Sequence, residues 1–171
     1  MTAQTASLPF SAVKAGRCPF VVSCPLRRRP LTAIGRFGRK VAIMAVDKNM
    51  RILLVEDYKT MLRILRNLLN QLGFKNIDEA FDGSEALHKL RQAPFDLIIA
   101  DWNMEPMTGF QLLKEVRADE RLKKTPFIMV TAESKTENVI AAKQAGVSNY
   151  IVKPFSTETL KAKLVSVLGP F

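Results

Sequence analysis

Phe95-Asp96-Leu97-Ile98-Ile99-Ala100-Asp101 decides the fold. From Leu97 to Ala100 the apolar residues run without the polar alternation of a half-buried strand, and Pro94 and Asp101 bound a run too short for a helix. Such a run reads as a strand buried on both faces, the habit of a parallel sheet covered by helices on each side. Three further segments share this grammar. Arg51 to Glu56 carries Ile52-Leu53-Leu54-Val55 and ends in Glu56-Asp57, Phe127 to Val130 ends at Thr131, and Tyr150-Ile151-Val152 ends at Lys153-Pro154. Phe74 to Ala80 is a weaker strand candidate.

Helical periods fill the gaps. Met61, Leu65, Leu68 and Leu72 recur at helical spacing, and Gly73 supplies the stop. Asp82 with Glu85 three residues on offers an N-cap leading into Ala86, Leu87 and Leu90, a helix that Pro94 ends. Thr108 with Gln111 forms a capping-box pattern before Leu112, Leu113 and Val116, and Ser134 with Glu137 repeats it before Val139, Ala142 and Ala145, closed by Gly146. Ser156 caps a last helix carrying Leu160, Leu164 and Val167. Strands alternating with helices in this way predict an open parallel α/β sheet.

Composition narrows the class further. The 171 residues are 47% hydrophobic and 25% charged, which suits a chain with a buried core, and no apolar window reaches the ~18 to 20 residues a bilayer crossing needs. Two cysteines, Cys18 and Cys24, are too few for a disulfide scaffold or a four-ligand zinc site. The formal charge of +10 invites a nucleic-acid reading, but it is unevenly placed. Residues 1–46 hold eight basic residues and no acidic one, whereas residues 47–171 hold 18 basic against 16 acidic. The leader has no sustained helical or strand period and reads as disordered. Three readings of it stand: an upstream extension of a protein that starts at Met44 or Met50, a transit peptide, or a basic arm built on Arg27, Arg28 and Arg29. It lacks the long apolar core of a secretory signal.

The polar residues that close the strands carry the chemistry. Glu56, Asp57, Asp101, Thr131 and Lys153 each fall at or just past the C-terminal end of a strand, and in a parallel sheet those ends share one edge, where doubly wound sheets bind ligands. Clustered carboxylates repel unless a cation joins them, and oxygen-only ligation with room for water suits Mg2+ rather than Zn2+. A lysine beside them neutralises a carboxylate or holds a phosphoryl group as a point charge. The combination suggests phosphoryl transfer to Asp101, with Thr131 and Lys153 on the phosphoryl oxygens. Taken singly, each residue has a plainer role: a cap or turn for Asp57 and Thr131, a solvated strand end for Glu56, a loop lysine for Lys153. That alternative must hold five times at corresponding positions. His88, on the presumed outer face of the second helix, has no assigned role.

Ile52-Leu53-Leu54-Val55-Glu56-Asp57, Asp101-Trp102-Asn103-Met104, Met129-Val130-Thr131-Ala132-Glu133 and Tyr150-Ile151-Val152-Lys153-Pro154-Phe155 resemble the receiver domain of two-component response regulators. The resemblance runs from about Met50 to Leu168 and is greatest to the single-domain chemotaxis regulators. It implies a flavodoxin-like (βα)5 domain over 47–171, with strand order 2-1-3-4-5 and helices on both faces, and residues 1–46 outside it. It further implies phosphorylation of Asp101 by a histidine kinase of the chemotaxis type, with Mg2+ held by Glu56, Asp57, Asp101 and the backbone carbonyl of Asn103. Thr131 and Lys153 would bind the phosphoryl group, Thr131 and Tyr150 would form the switch, Asn103 and Glu133 would tune dephosphorylation, and Lys153-Pro154 would be cis.

Two positions depart from the family pattern. Glu56 replaces the commoner aspartate, so its longer side chain would reach a metal through water and Asp57 becomes the direct ligand. Proline comes one residue late, after Glu105, which also adds a carboxylate near the metal. Only 18 residues follow Lys153, too few for a DNA-binding or enzymatic output domain, so output is a protein contact. The resemblance names a cytoplasmic monomer without catalytic turnover of a substrate, whose partners are the kinase, the flagellar motor switch protein and a phosphatase. A stand-alone receiver serving as phosphate sink or regulator in another pathway is the alternative. An aspartyl-phosphate phosphohydrolase fits less well, because Asn103 stands where such enzymes place a second acid, and neither G-x-G-x-x-G nor a Walker A sequence is present.

Overall fold

The most apolar strands lie innermost. β1 (Ile52–Val55), β3 (Leu97–Asp101) and β4 (Phe127–Thr131) are buried at every position, whereas β2 (Ile77–Ala80) and β5 (Asn149–Val152) carry half-exposed residues and form the two edges. This computed structural model describes residues 46–132 and 136–171. All strands are parallel, in the order β2-β1-β3-β4-β5, as the sequence predicts. The connecting helices are α1 (Lys59–Gln71), α2 (Gly83–Gln92), α3 (Gly109–Ala118), α4 (Thr136–Gln144) and α5 (Thr157–Leu168).

Alternate side chains of each inner strand go to opposite faces and build two cores. Ile52, Leu54, Ile99 and Val130 pack with Leu62, Leu65 and Leu69 of α1 and with Leu160 and Leu164 of α5. On the other face Leu53, Val55, Ile98 and Met129 pack with Ala86, Leu87 and Leu90 of α2 and with Leu112, Leu113 and Val116 of α3. α4 shares that second face, where Val139 and Ala142 border a narrow cleft with Met129 and Tyr150.

Two expectations shift in detail. The buried stripe of α1 is Leu62, Leu65 and Leu69, and Met61, Leu68 and Leu72 flank it, because the helix lies rotated toward its more central leucines. β2 begins at Ile77 rather than Phe74, since Phe74 belongs to the end of α1. Gly73 takes φ +97°, its N–H donates to the Asn70 carbonyl, and the Phe74 N–H donates to the Leu69 carbonyl, a paired closure that satisfies two helix-end carbonyls. Phe74 is fully buried there.

The caps fall where the sequence places them. Asp82 accepts from the N–H groups of Ser84 and Glu85, Thr108 and Gln111 close both arms of a capping box, and Ser156 accepts from the Thr159 N–H. Glu85 reaches back to the Phe81 N–H, one residue beyond the cap. The expected Ser134 cap, residue Glu133 and the leader 1–45 lie outside the described residues. Among the described residues no helix is long and apolar enough to cross a membrane.

Candidate functional site

Register brings the polar strand ends together. Val55 lies beside Ala100, so Glu56 follows next to Asp101 on the neighbouring strand. Asp101 pairs with Val130 and Thr131 with Val152, so Thr131 and Lys153 extend the same line on β4 and past β5. The Trp102 N–H donates to the Val130 carbonyl at 2.8 Å and the Lys153 N–H to the Thr131 carbonyl at 2.7 Å, which carries the ladder one step beyond the strands. The connections that follow β1 and β3 part here: the chain leaves β1 for one edge of the sheet and β3 for the other, the crevice position expected of a doubly wound sheet.

Glu56, Asp101 and Thr131 are the buried polar side chains among the described residues, at 2%, 7% and 4% exposure. That three such groups meet at one sheet edge argues against five unrelated turn and cap residues, because burying a charge is costly unless it is paired. Lys153 supplies the pairing. Its Nζ donates to both Glu56 oxygens at 3.0 and 2.8 Å and lies 2.9 Å from Asp101 Oδ1. Asp101 Oδ2 accepts from the Asn103 N–H at 3.2 Å, so each Asp101 oxygen holds one donor and keeps capacity for another partner.

Electrostatics follow this geometry. Burial pushes the Glu56 carboxyl above its usual range; the Lys153 hydrogen bond and charge oppose the shift, while Asp101 and Asp57 add to it. Burial also works against the Lys153 ammonium, but its hydrogen bonds to Glu56 and Asp101, and their charges, outweigh it and hold lysine above its ordinary value. One cation thus sits between two carboxylates.

Carboxylate oxygens of Glu56, Asp57 and Asp101 lie within 4.8 Å of one another, an oxygen set that fits Mg2+. Asp57 is exposed and its carboxylate would be open to such an ion, whereas both Glu56 oxygens are already engaged by Lys153. The cavity above is lined by Asp57, Asn103, Met104, Glu105 and Thr108. Thr131 and Tyr150 border the same narrow cleft with Trp102 and Asn138, and the Tyr150 ring lies 5.0 Å from the Lys163 ammonium and 6.0 Å from that of Lys143. Lys153-Pro154 is cis, as expected, and so is Glu105-Pro106. His88 is exposed beside Gln92, away from this edge.

Sequence reasoning missed Gly109. A Cβ there would sit 1.9 Å from the Asp101 carbonyl oxygen, so only glycine lets α3 start against β3, with its N–H donating to the Trp102 carbonyl. The signal available was a glycine in the first turn directly after a capping threonine. Gly83 is similarly confined by Met107 of the loop beside the site.

A five-stranded parallel sheet of this order, with a cationic lysine spanning two buried carboxylates at its switch point, has the architecture of a receiver domain, and the chain belongs to the response regulator receiver domain family, whose model matches residues 52–165. Within that family it is a response regulator of the chemotaxis, CheY type. It is 56% identical over 119 residues to chemotaxis protein CheY-3 of Vibrio cholerae serotype O1, covering 70% of this chain and 92% of that one. The solved structure of chemotaxis response regulator CheY4 of Vibrio cholerae matches with a TM-score of 0.66 at 38% identity, over 70% of this chain and 99% of the other. Response regulator TrrA of Thermotoga maritima, solved in complex with Mg(2+)-BeF, matches at 0.62 and 32% identity, over 70% and 99% of the two chains.

Proposed function

We propose that a histidine kinase of the chemotaxis type phosphorylates Asp101 and that the product favours binding to the flagellar motor switch protein. The observation that carries this reading is the Lys153 ammonium shared between the buried Glu56 and Asp101 carboxylates, beside the buried Thr131 hydroxyl. An Asp101 oxygen bonds to phosphorus as the donor's P–N bond breaks; the imidazole leaves with the electron pair and takes up a proton. Lys153 then moves its charge onto the phosphoryl oxygens, and Thr131 donates its hydroxyl to them. Asp57, Asp101, the Asn103 carbonyl and Glu56 would hold Mg2+, which would supply charge neutralisation between the anionic partners.

Phosphoryl binding biases an equilibrium between two arrangements by adding charge-assisted hydrogen bonds to one of them. Thr131 and Tyr150 couple the site to the surface, because both border the cleft between β4, α4 and β5. Asn103 and Glu133 set how quickly water removes the phosphoryl group. Residues 47–171 are the receiver and 1–46 stand outside it.

Asp101→Asn keeps the size of the side chain and removes the nucleophilic charge. The expected result is loss of labelling from both kinase and acetyl phosphate; retained labelling at the wild-type rate sinks the acceptor assignment. Pull-down with motor switch protein is expected to strengthen with beryllofluoride and Mg2+. No change there would favour a stand-alone receiver that acts as a phosphate sink.

A further inference from the structure

Glu105 is exposed and lines the same open cavity as Asp57 and Asn103. We propose that it is a specificity-determining residue for what reaches Asp101, strengthening divalent-cation binding and slowing small, highly charged phosphodonors relative to less charged ones. This deepens the acceptor reading above and rests on it.

The charge balance supplies the argument. Lys153 together with one divalent ion matches the three charges of Glu56, Asp57 and Asp101, whose oxygens are mutually close. Glu105 is not in that close group and has no ion-pair partner among the described residues, so it acts through space rather than as a ligand. Its charge would therefore remain unmatched in the lining of the cavity with an ion bound. A dication entering feels that charge as attraction and an anionic phosphodonor feels it as repulsion. Across several ångströms of water one such charge changes the approach of a singly charged species by about two- to threefold, and of a doubly charged one by about four- to eightfold.

The test compares full-length wild type with Glu105→Gln, using the single tryptophan, Trp102, as a fluorescent reporter beside Asp101. At low ionic strength the Mg2+ Kd of the variant is expected to rise by about four- to eightfold. At saturating Mg2+, Asp101 labelling by dianionic acetyl phosphate should gain about twofold more than labelling by monoanionic phosphoramidate. Both differences should shrink toward unity near ~1 M salt, where screening acts within a few ångströms, and Glu105→Asp should restore them. An unchanged Kd with an unchanged donor ratio overturns the proposal, as do changes that persist undiminished in high salt, which would mark a rearranged loop. If wild type is labelled by neither donor, the acceptor reading fails and takes the donor arm with it, while the Mg2+ titration still decides the role of Glu105 in cation binding.

Discussion

With Mg2+ withheld, the Lys153 ammonium is the counter-charge that the buried Glu56 and Asp101 carboxylates share. Lys153→Met keeps much of the aliphatic stem and leaves two like charges facing each other. It should lower the stability of metal-free protein at neutral pH by about 3 kcal/mol, read by urea unfolding, and added Mg2+ should recover part of the loss. An unchanged midpoint would mean the carboxylates are better solvated than their burial indicates. The pH dependence has a definite sign. Lysine is held above its ordinary value in the folded chain, so its contribution is full below the unfolded lysine value and is lost as pH rises through the higher folded one. Wild type should therefore show an alkaline decline that Lys153→Met lacks. Glu56 carries the same sign in a lower window: with its carboxyl raised in the fold, its ionisation costs stability as pH climbs from the ordinary carboxylate range through the higher folded value.

At the scale of elements, α3 is fixed to β3 by an absence. Gly109→Ala improves helix propensity by about 1 kcal/mol, yet its Cβ would meet the Asp101 carbonyl oxygen, a backbone atom that cannot swing aside. The expected balance is a net loss of about 1 to 3 kcal/mol in urea unfolding, with slower Asp101 labelling because the acceptor's own backbone must shift. A more stable variant would show that α3 can slide away at little cost. This contact also marks the limit of what the sequence discloses. Continuous apolar runs reveal the inner strands, because a strand buried on both faces cannot hide its composition, and the polar residue closing each run reveals the site. Caps such as Thr108–Gln111 are legible because both partners sit within one turn. Gly109 is not, since its constraint comes from a strand reached only after folding. The start of β2 escapes for a related reason: Phe74 looks like a strand residue but is committed to closing α1.

The whole molecule divides its charge by segment, with the basic surplus concentrated in residues 1–46 and near balance beyond. Removing that leader should abolish salt-sensitive retention on a phosphate resin and leave both the urea midpoint and the Asp101 labelling rate at their full-length values. A collapse of labelling would place the leader inside the working domain. The ion pairs among Glu56, Asp101 and Lys153, by contrast, are local to one edge of the sheet.

The Glu56–Lys153 hydrogen bonds join residues 97 positions apart, with every other strand of the sheet encoded between them. On a ribosome, Asp101 emerges well before its lysine does, and β5 must be made and docked on β4 before the ammonium can arrive. A nascent or partly unfolded chain therefore holds the Asp101 carboxylate without the cation that pairs with it. If Asp101 is the acceptor proposed above, labelling of it should report completed folding, because its pairing with Lys153 exists only once β5 has docked.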